Sequence, residues 1–197
     1  MSELTHKAEV FDEPVELQGR NLWILSRLLA GAAAFLFLSF LFAFFYLRSL
    51  NNADMWRPAH VDSPQAYGAG VVLATVLSVG FAYAAARALR SGRETRWRRL
   101  GAGALLLGLA AVGIQFAEYA TLDFGPTDGG YASVFLAWTG LFAVVVILAM
   151  YWLETLLAQS WRGRGDALLP ASAEAFAFFW AFLTGTGVIA WVLLYLV

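Results

Sequence analysis

Gln115-Phe116-Ala117-Glu118-Tyr119 closes one apolar run, and Tyr131-Ala132-Ser133-Val134-Phe135 opens the next. Between them, Thr121 to Gly130 is rich in turn formers, with Gly125-Pro126 and Asp128-Gly129-Gly130. The second run goes on through Thr139-Gly140-Leu141-Phe142. The pattern is a hairpin of two apolar helices whose polar residues gather at one end.

Outward from this hairpin the chain keeps the same character. Of 197 residues, 60% are hydrophobic and 14% charged, where a soluble domain carries about a quarter charged. A hydrocarbon layer about 30 Å thick takes roughly 20 apolar residues per helix. Five blocks meet that length, at about Leu25–Leu47, Gly68–Ala86, Leu100–Leu122, Tyr131–Leu157 and Glu174–Val197. The expected fold is all-α: a polytopic membrane protein whose five-transmembrane-helix bundle spans 25–197, behind a cytosolic polar tail of residues 1–24. The first apolar block starts too late, and runs too long, to read as a signal peptide.

Charge distribution orients the bundle. Cytoplasmic segments are enriched in Lys and Arg. Lys7, Arg20, Arg27, Arg87, Arg90, Arg93, Arg96, Arg98, Arg99, Arg162 and Arg164 fall on one side, and only Arg48 and Arg57 on the other. The N-terminus is therefore expected in the cytoplasm and the C-terminus outside. Lys7 is the only Lys among 13 basic residues, which suits a GC-rich bacterial genome and a bacterial cytoplasmic membrane. The arginine loop sits between two spans, so it sets topology and can hold anionic lipid headgroups at about 1 kcal/mol per charge. Nucleic acid is not an expected partner.

The ligand inventory bounds the chemistry. There is no cysteine, and the two histidines, His6 and His60, lie outside the spans. Haem and copper need His, Cys, Met or Tyr ligands. No catalytic, cofactor-binding or metal-ligating residue is expected in this chain. Span centres fall near residues 36, 77, 111, 145 and 186, and none is charged, which disfavours an independent ion carrier. Small residues recur every fourth position at Gly70, Ala74, Ser78, Ala82 and Ala86, and again at Ala173, Ala177, Ala181 and Gly185. Such stripes let helices approach closely in lipid. Gln115 and Glu118 share a helix face and are expected to bond to the 128–139 segment or to the last helix.

These motifs resemble the subunit III family of heme-copper respiratory oxidases, in its five-helix bacterial form. That family carries Gln-x-x-Glu-Tyr, then Asp-Gly-x-Tyr-Gly-Ser, then Thr-Gly-Phe-His. Gln115, Glu118 and Tyr119 match the first, Asp128, Tyr131 and Ser133 the second, and Thr139 the third. Trp56-Arg57-Pro58 is similar to its Trp-Pro-Pro loop. Glu174-Ala175-Phe176-Ala177-Phe178-Phe179-Trp180 is similar to its last-helix motif, and Trp191 and Tyr195 to its closing Trp-x-x-x-Tyr. Phe142 and Val145 stand where the family has histidines, Ala33 and Ala34 where it has Ser-Glu, and Leu-Thr-Gly-Thr-Gly where it has Val-Asp.

The resemblance implies a non-redox accessory subunit of a terminal oxidase in aerobic respiration. It would pack on catalytic subunit I, beside subunit II, hold phospholipid in a cleft between helix groups, and support proton uptake and stability. Heme and copper would lie in the partner subunits, served by cytochrome c or quinol. The alternatives are an accessory protein of a nitric oxide reductase system, or a small membrane transporter or lipid-handling protein.

Topology is directly testable. Reporter fusions after Arg99 and after Val197 are expected to report cytosol and exterior respectively, and the reverse pattern refutes the orientation.

Overall fold

In lipid every backbone N–H and C=O needs an internal partner, which a helix provides from its own chain. The computed structural model, which describes residues 14–51, 55–59, 61–162 and 167–197, meets this need with five long helices. They are α1 (Val15–Ser49), α2 (Gln65–Arg90), α3 (Glu94–Tyr119), α4 (Gly130–Trp161) and α5 (Leu169–Trp191). Each is long and apolar enough to cross a membrane, and the described residues form no strand. A turn of π-helix, Val192–Leu196, continues α5. His6, His60, Lys7 and Arg164 lie outside the described residues.

α1, α2 and α4 extend beyond their apolar blocks at both ends. α1 begins at Val15, inside the stretch expected as a polar tail, and its 35 residues make a rod of about 52 Å at 1.5 Å per residue. Backbone hydrogen bonding does not stop where the apolar side chains stop.

Local chemistry sets the ends. α2 closes in a Schellman motif, with Gly92 N donating to Leu89 O and Arg93 N to Ala88 O, each at 2.9 Å. Gly92 takes φ 71°, which glycine adopts without penalty. Three residues thus suffice to turn α2 into α3. Pro170 stands in the first turn of α5, where a missing N–H costs nothing.

α2, α3, α4 and α5 close a four-membered ring, each packing on the next and α5 returning to α2; α1 lies outside across α4 and α5. α4 is the most buried span and α1 the least. Trp97, Trp138, Trp180, Phe135 and Leu153 fill the core. The stripe on α2 is used as expected: Ala74, Ser78, Ala82 and Ala86 are buried. Ser78 donates to Ala104 O of α3 at 2.7 Å and accepts from Trp180 Nε1 of α5 at 3.0 Å. On α5 the stripe drifts: Ala173 and Ala177 are buried, but Gly185 is exposed. A four-residue step advances about 40° beyond a full turn, so three steps carry Gly185 off the packed face.

Ser78→Ala keeps the size and removes both hydrogen bonds. The expected loss is about 0.5–2 kcal/mol, read by thermal unfolding in mild detergent; an unchanged midpoint would show the contact to be incidental.

Candidate functional site

At the end of the bundle that holds the α3–α4 turn, the sequence places its densest set of polar groups against apolar helices. Glu118, in the last turn of α3, has no exposed surface. A buried carboxylate without donors costs several kcal/mol, so its surroundings are demanding. Tyr195 Oη, in the π-helical turn, donates to it and lies 2.8 and 2.9 Å from the two carboxylate oxygens. Gln115 Nε2, one turn earlier, donates to Oε2. The expected tie to the last helix is thus present: Glu118 accepts from Tyr195, and Gln115 donates to the same carboxylate.

A second set clamps the same turn from the other side. Tyr131 Oη donates to Leu194 O and lies 2.9 Å from Ser63 Oγ. Ser63 Oγ donates to Leu194 O at 3.3 Å, and Gln65 Nε2 to Tyr195 O at 3.1 Å. Three neutral side chains, those of Ser63, Gln65 and Tyr131, therefore hold this turn. Beside Glu118, Tyr119 Oη donates to Thr139 Oγ1 at 2.8 Å, which in turn donates to Phe135 O at 2.7 Å, tying α3 to α4.

The turn is built by the second motif. Asp128 Oδ2 accepts from Gly125 N at 2.7 Å, and Ser133 Oγ donates to Pro126 O at 2.6 Å. Gly129 has φ 126°, and a Cβ there would meet Pro58, Met55 O and Trp56 O at 2.9–3.1 Å; no other residue fits. This lets Gly130 N and Tyr131 N donate to Met55 O and Trp56 O at 3.1 and 2.8 Å. Trp56 stands edge-on to Phe44 and Tyr131. Arg57 lies over the Tyr131 ring at 4.5 Å and pairs with Asp62 at 2.7 Å.

Eight of the motif residues thus meet at one end: Trp56, Gln115, Glu118, Tyr119, Asp128, Tyr131, Ser133 and Thr139. Trp180 sits in the middle of the bundle on Ser78, and Glu174 lies at the opposite end, paired with Arg90. The sequence marks Tyr195 by its motif but not by its partner, and marks Ser63 only as a turn former beside Pro64 and Gln65 not at all. The signal for Tyr195 was a phenol in an otherwise apolar terminal run, which needs a polar partner.

The cavity next to Gln115, Thr139 and Tyr195 holds about 20 Å³, room for about one water and for no substrate. Among the described residues no three His, Cys, Asp or Glu side chains cluster as a metal site. The arrangement can hold helices in register; it offers no open reaction centre.

Comparison with known proteins gives the family. Residues 16–197 match the family model described as cytochrome c oxidase subunit III. The cytochrome c oxidase subunit 3 of Branchiostoma lanceolatum is 28% identical over 186 residues, covering 90% of this chain and 66% of that protein. That of Lumbricus terrestris is 26% identical, covering 81% of this chain and 62% of the relative, and that of Oryctolagus cuniculus 24% identical, at 90% and 66%. The chain spans slightly less than two thirds of the length of these relatives.

Glu118→Ala strands the Tyr195 hydroxyl and the Gln115 amide, and is expected to cost about 1–3 kcal/mol. Tyr195→Phe is expected to cost less. A double-mutant cycle on the pair is expected to return a coupling of about 1 kcal/mol or more, measured by unfolding in detergent. Strict additivity would dissolve the contact.

Proposed function

The chain belongs to the cytochrome c oxidase subunit III family, and on that premise we propose that it is a non-redox accessory subunit of a heme-copper terminal oxidase in aerobic respiration. The observation that carries the proposal is the match over residues 16–197, supported by a bundle whose ionisable groups sit at its ends. Its partners are catalytic subunit I and subunit II, which hold the heme and copper, together with phospholipid. The membrane is the bacterial cytoplasmic membrane, with the arginine end facing the cytoplasm.

Several features support a packing and supporting role. The outer helix α1 turns Phe35 and Phe42, 80% and 70% exposed, away from the bundle, toward partner or lipid. Between Leu25 and Leu47 α1 carries no acid, so any support of proton uptake runs through other parts of the subunit. The Glu118 network acts at a distance from any redox centre, by holding the shape that the partner docks against. The nitric oxide reductase and transporter readings draw no support from the relatives.

Affinity purification of the tagged chain in mild detergent is expected to bring down a large multi-helix protein with a haem absorption spectrum. Glu118→Ala is expected to lower the recovered amount and leave the haem bands unshifted. A stable haem-free particle would overturn the assignment.

A further inference from the structure

Beside the Glu118 cluster one indole holds a proton that no acceptor takes. Trp191 closes α5, and its Nε1 is buried without a hydrogen-bond partner among the described residues. An unmet buried donor is costly, and native folds keep few of them. A Cβ on Gly68 of α2 would meet Cδ1 of this indole at 2.8 Å. Cδ1 is bonded to Nε1, so the N–H edge of the ring lies on the α2 side. Gly68 and Trp191 both line the cavity of about 20 Å³, together with Gln115, Thr139 and Tyr195.

The other polar groups on this wall have lone pairs to offer. Tyr195 Oη gives its proton to Glu118 and remains an acceptor. Thr139 Oγ1 gives its proton to Phe135 O and accepts from Tyr119, which leaves it one lone pair. Gln115 donates an amide N–H to Glu118 and keeps its carbonyl oxygen. The wall thus sets one unmet donor against acceptors on three residues. A ligand that fits must accept one hydrogen bond and donate two. A single water needs about 10–15 Å³ and two to four polar partners. The cavity meets both conditions and is too small for anything larger.

We propose that this cavity binds one structural water, which accepts from Trp191 Nε1 and donates to two of Tyr195, Thr139 and Gln115. The direct hydrogen bonds leave two separate clusters: Glu118 with Gln115 and Tyr195, and Tyr119 with Thr139. The water joins them. It adds a tie between α4 and the chain's final turn, and it satisfies the indole that the protein alone leaves unmet. The site goes beyond the role of the subunit and stands whatever the partner.

The test uses the full-length chain in lipid nanodiscs, with its indole nitrogens labelled with nitrogen-15. Eight indole resonances are expected, one for each Trp, and Trp191→Phe or Trp191→Tyr identifies one by its loss. In the unmutated protein that N–H is expected to show a rotating-frame cross-relaxation peak to water, opposite in sign to chemical exchange. Trp97 and Trp138 are the controls. Their Nε1 atoms are also buried without a partner, but neither residue lines this cavity, so they are expected to show no such peak. Absence of the peak at Trp191, or peaks of equal strength at the controls, overturns the proposal. Thr139→Val and Tyr195→Phe then form a double-mutant cycle on two hydroxyls that share no direct bond. Through a common water their effects on the unfolding equilibrium are expected to depart from additivity by about threefold or more. Strict additivity overturns the bridge.

Discussion

Helices in hydrocarbon gain little from burying apolar surface, since the lipid is as apolar as they are. Close backbone approach and a few buried hydrogen bonds must do what the hydrophobic effect does in water. This bundle has such ties at three levels. Arg98 donates to Ser160 O and Ser160 Oγ at 2.7 and 3.1 Å near one end, joining α3 to α4. Ser78 joins α2, α3 and α5 in the middle. Glu118 and Tyr131 hold the final turn at the other end. With all three in place the α2–α5 ring has one register, and α1 needs only packing to join it.

The π-helical turn belongs to this logic. A π turn is wider than an α turn and alters which way its residues face. Here it falls on Val192–Leu196. Tyr195 turns its hydroxyl to Glu118 while the carbonyls of Leu194 and Tyr195 accept from Tyr131, Ser63 and Gln65. A Cβ on Gly68 would meet the Tyr195 ring at 2.6 Å and Trp191 at 2.8 Å, so α2 presses against this turn at a bare backbone. The last turn of the chain is thus a keystone between the α3 terminus and the start of α2.

What the sequence made legible follows from the range of each interaction. The five spans, the all-α class and the turn motif depend on neighbours within a few residues, and the blocks and glycines display them openly. Glu118 could be marked as a group needing partners from its own position alone. Its donor Tyr195 lies 77 residues away, and no period or spacing encodes that pairing. The same holds for Arg98 and Ser160, 62 apart. Ser78 read as a small residue in a stripe because its size shows locally, while its two hydrogen bonds show only once α3 and α5 are in place. Apolar blocks and helices also measure different things: apolar length follows the membrane, and α1, α2 and α4 continue past it at both ends.

The places where this chain departs from the family pattern also make physical sense together. Phe142 stands where a histidine is expected. It is buried, edge-on to Phe37 of α1 at 6.3 Å, and a Cβ on Gly187 would meet its ring at 2.6 Å. Gly187 lies in the stretch where Val-Asp is expected, and Phe37 follows Ala34 by less than a turn. Losing one member of a buried polar set leaves its partner stranded, whereas replacing the whole set by fitted apolar groups can be nearly neutral. Phe142, Gly187 and Phe37 form such a fitted set, and their shapes interlock across α1, α4 and α5. The bundle is therefore sealed by packing at this level, and its charged groups gather at the two ends: a carboxylate among neutral donors at one, and guanidinium groups around a cleft at the other.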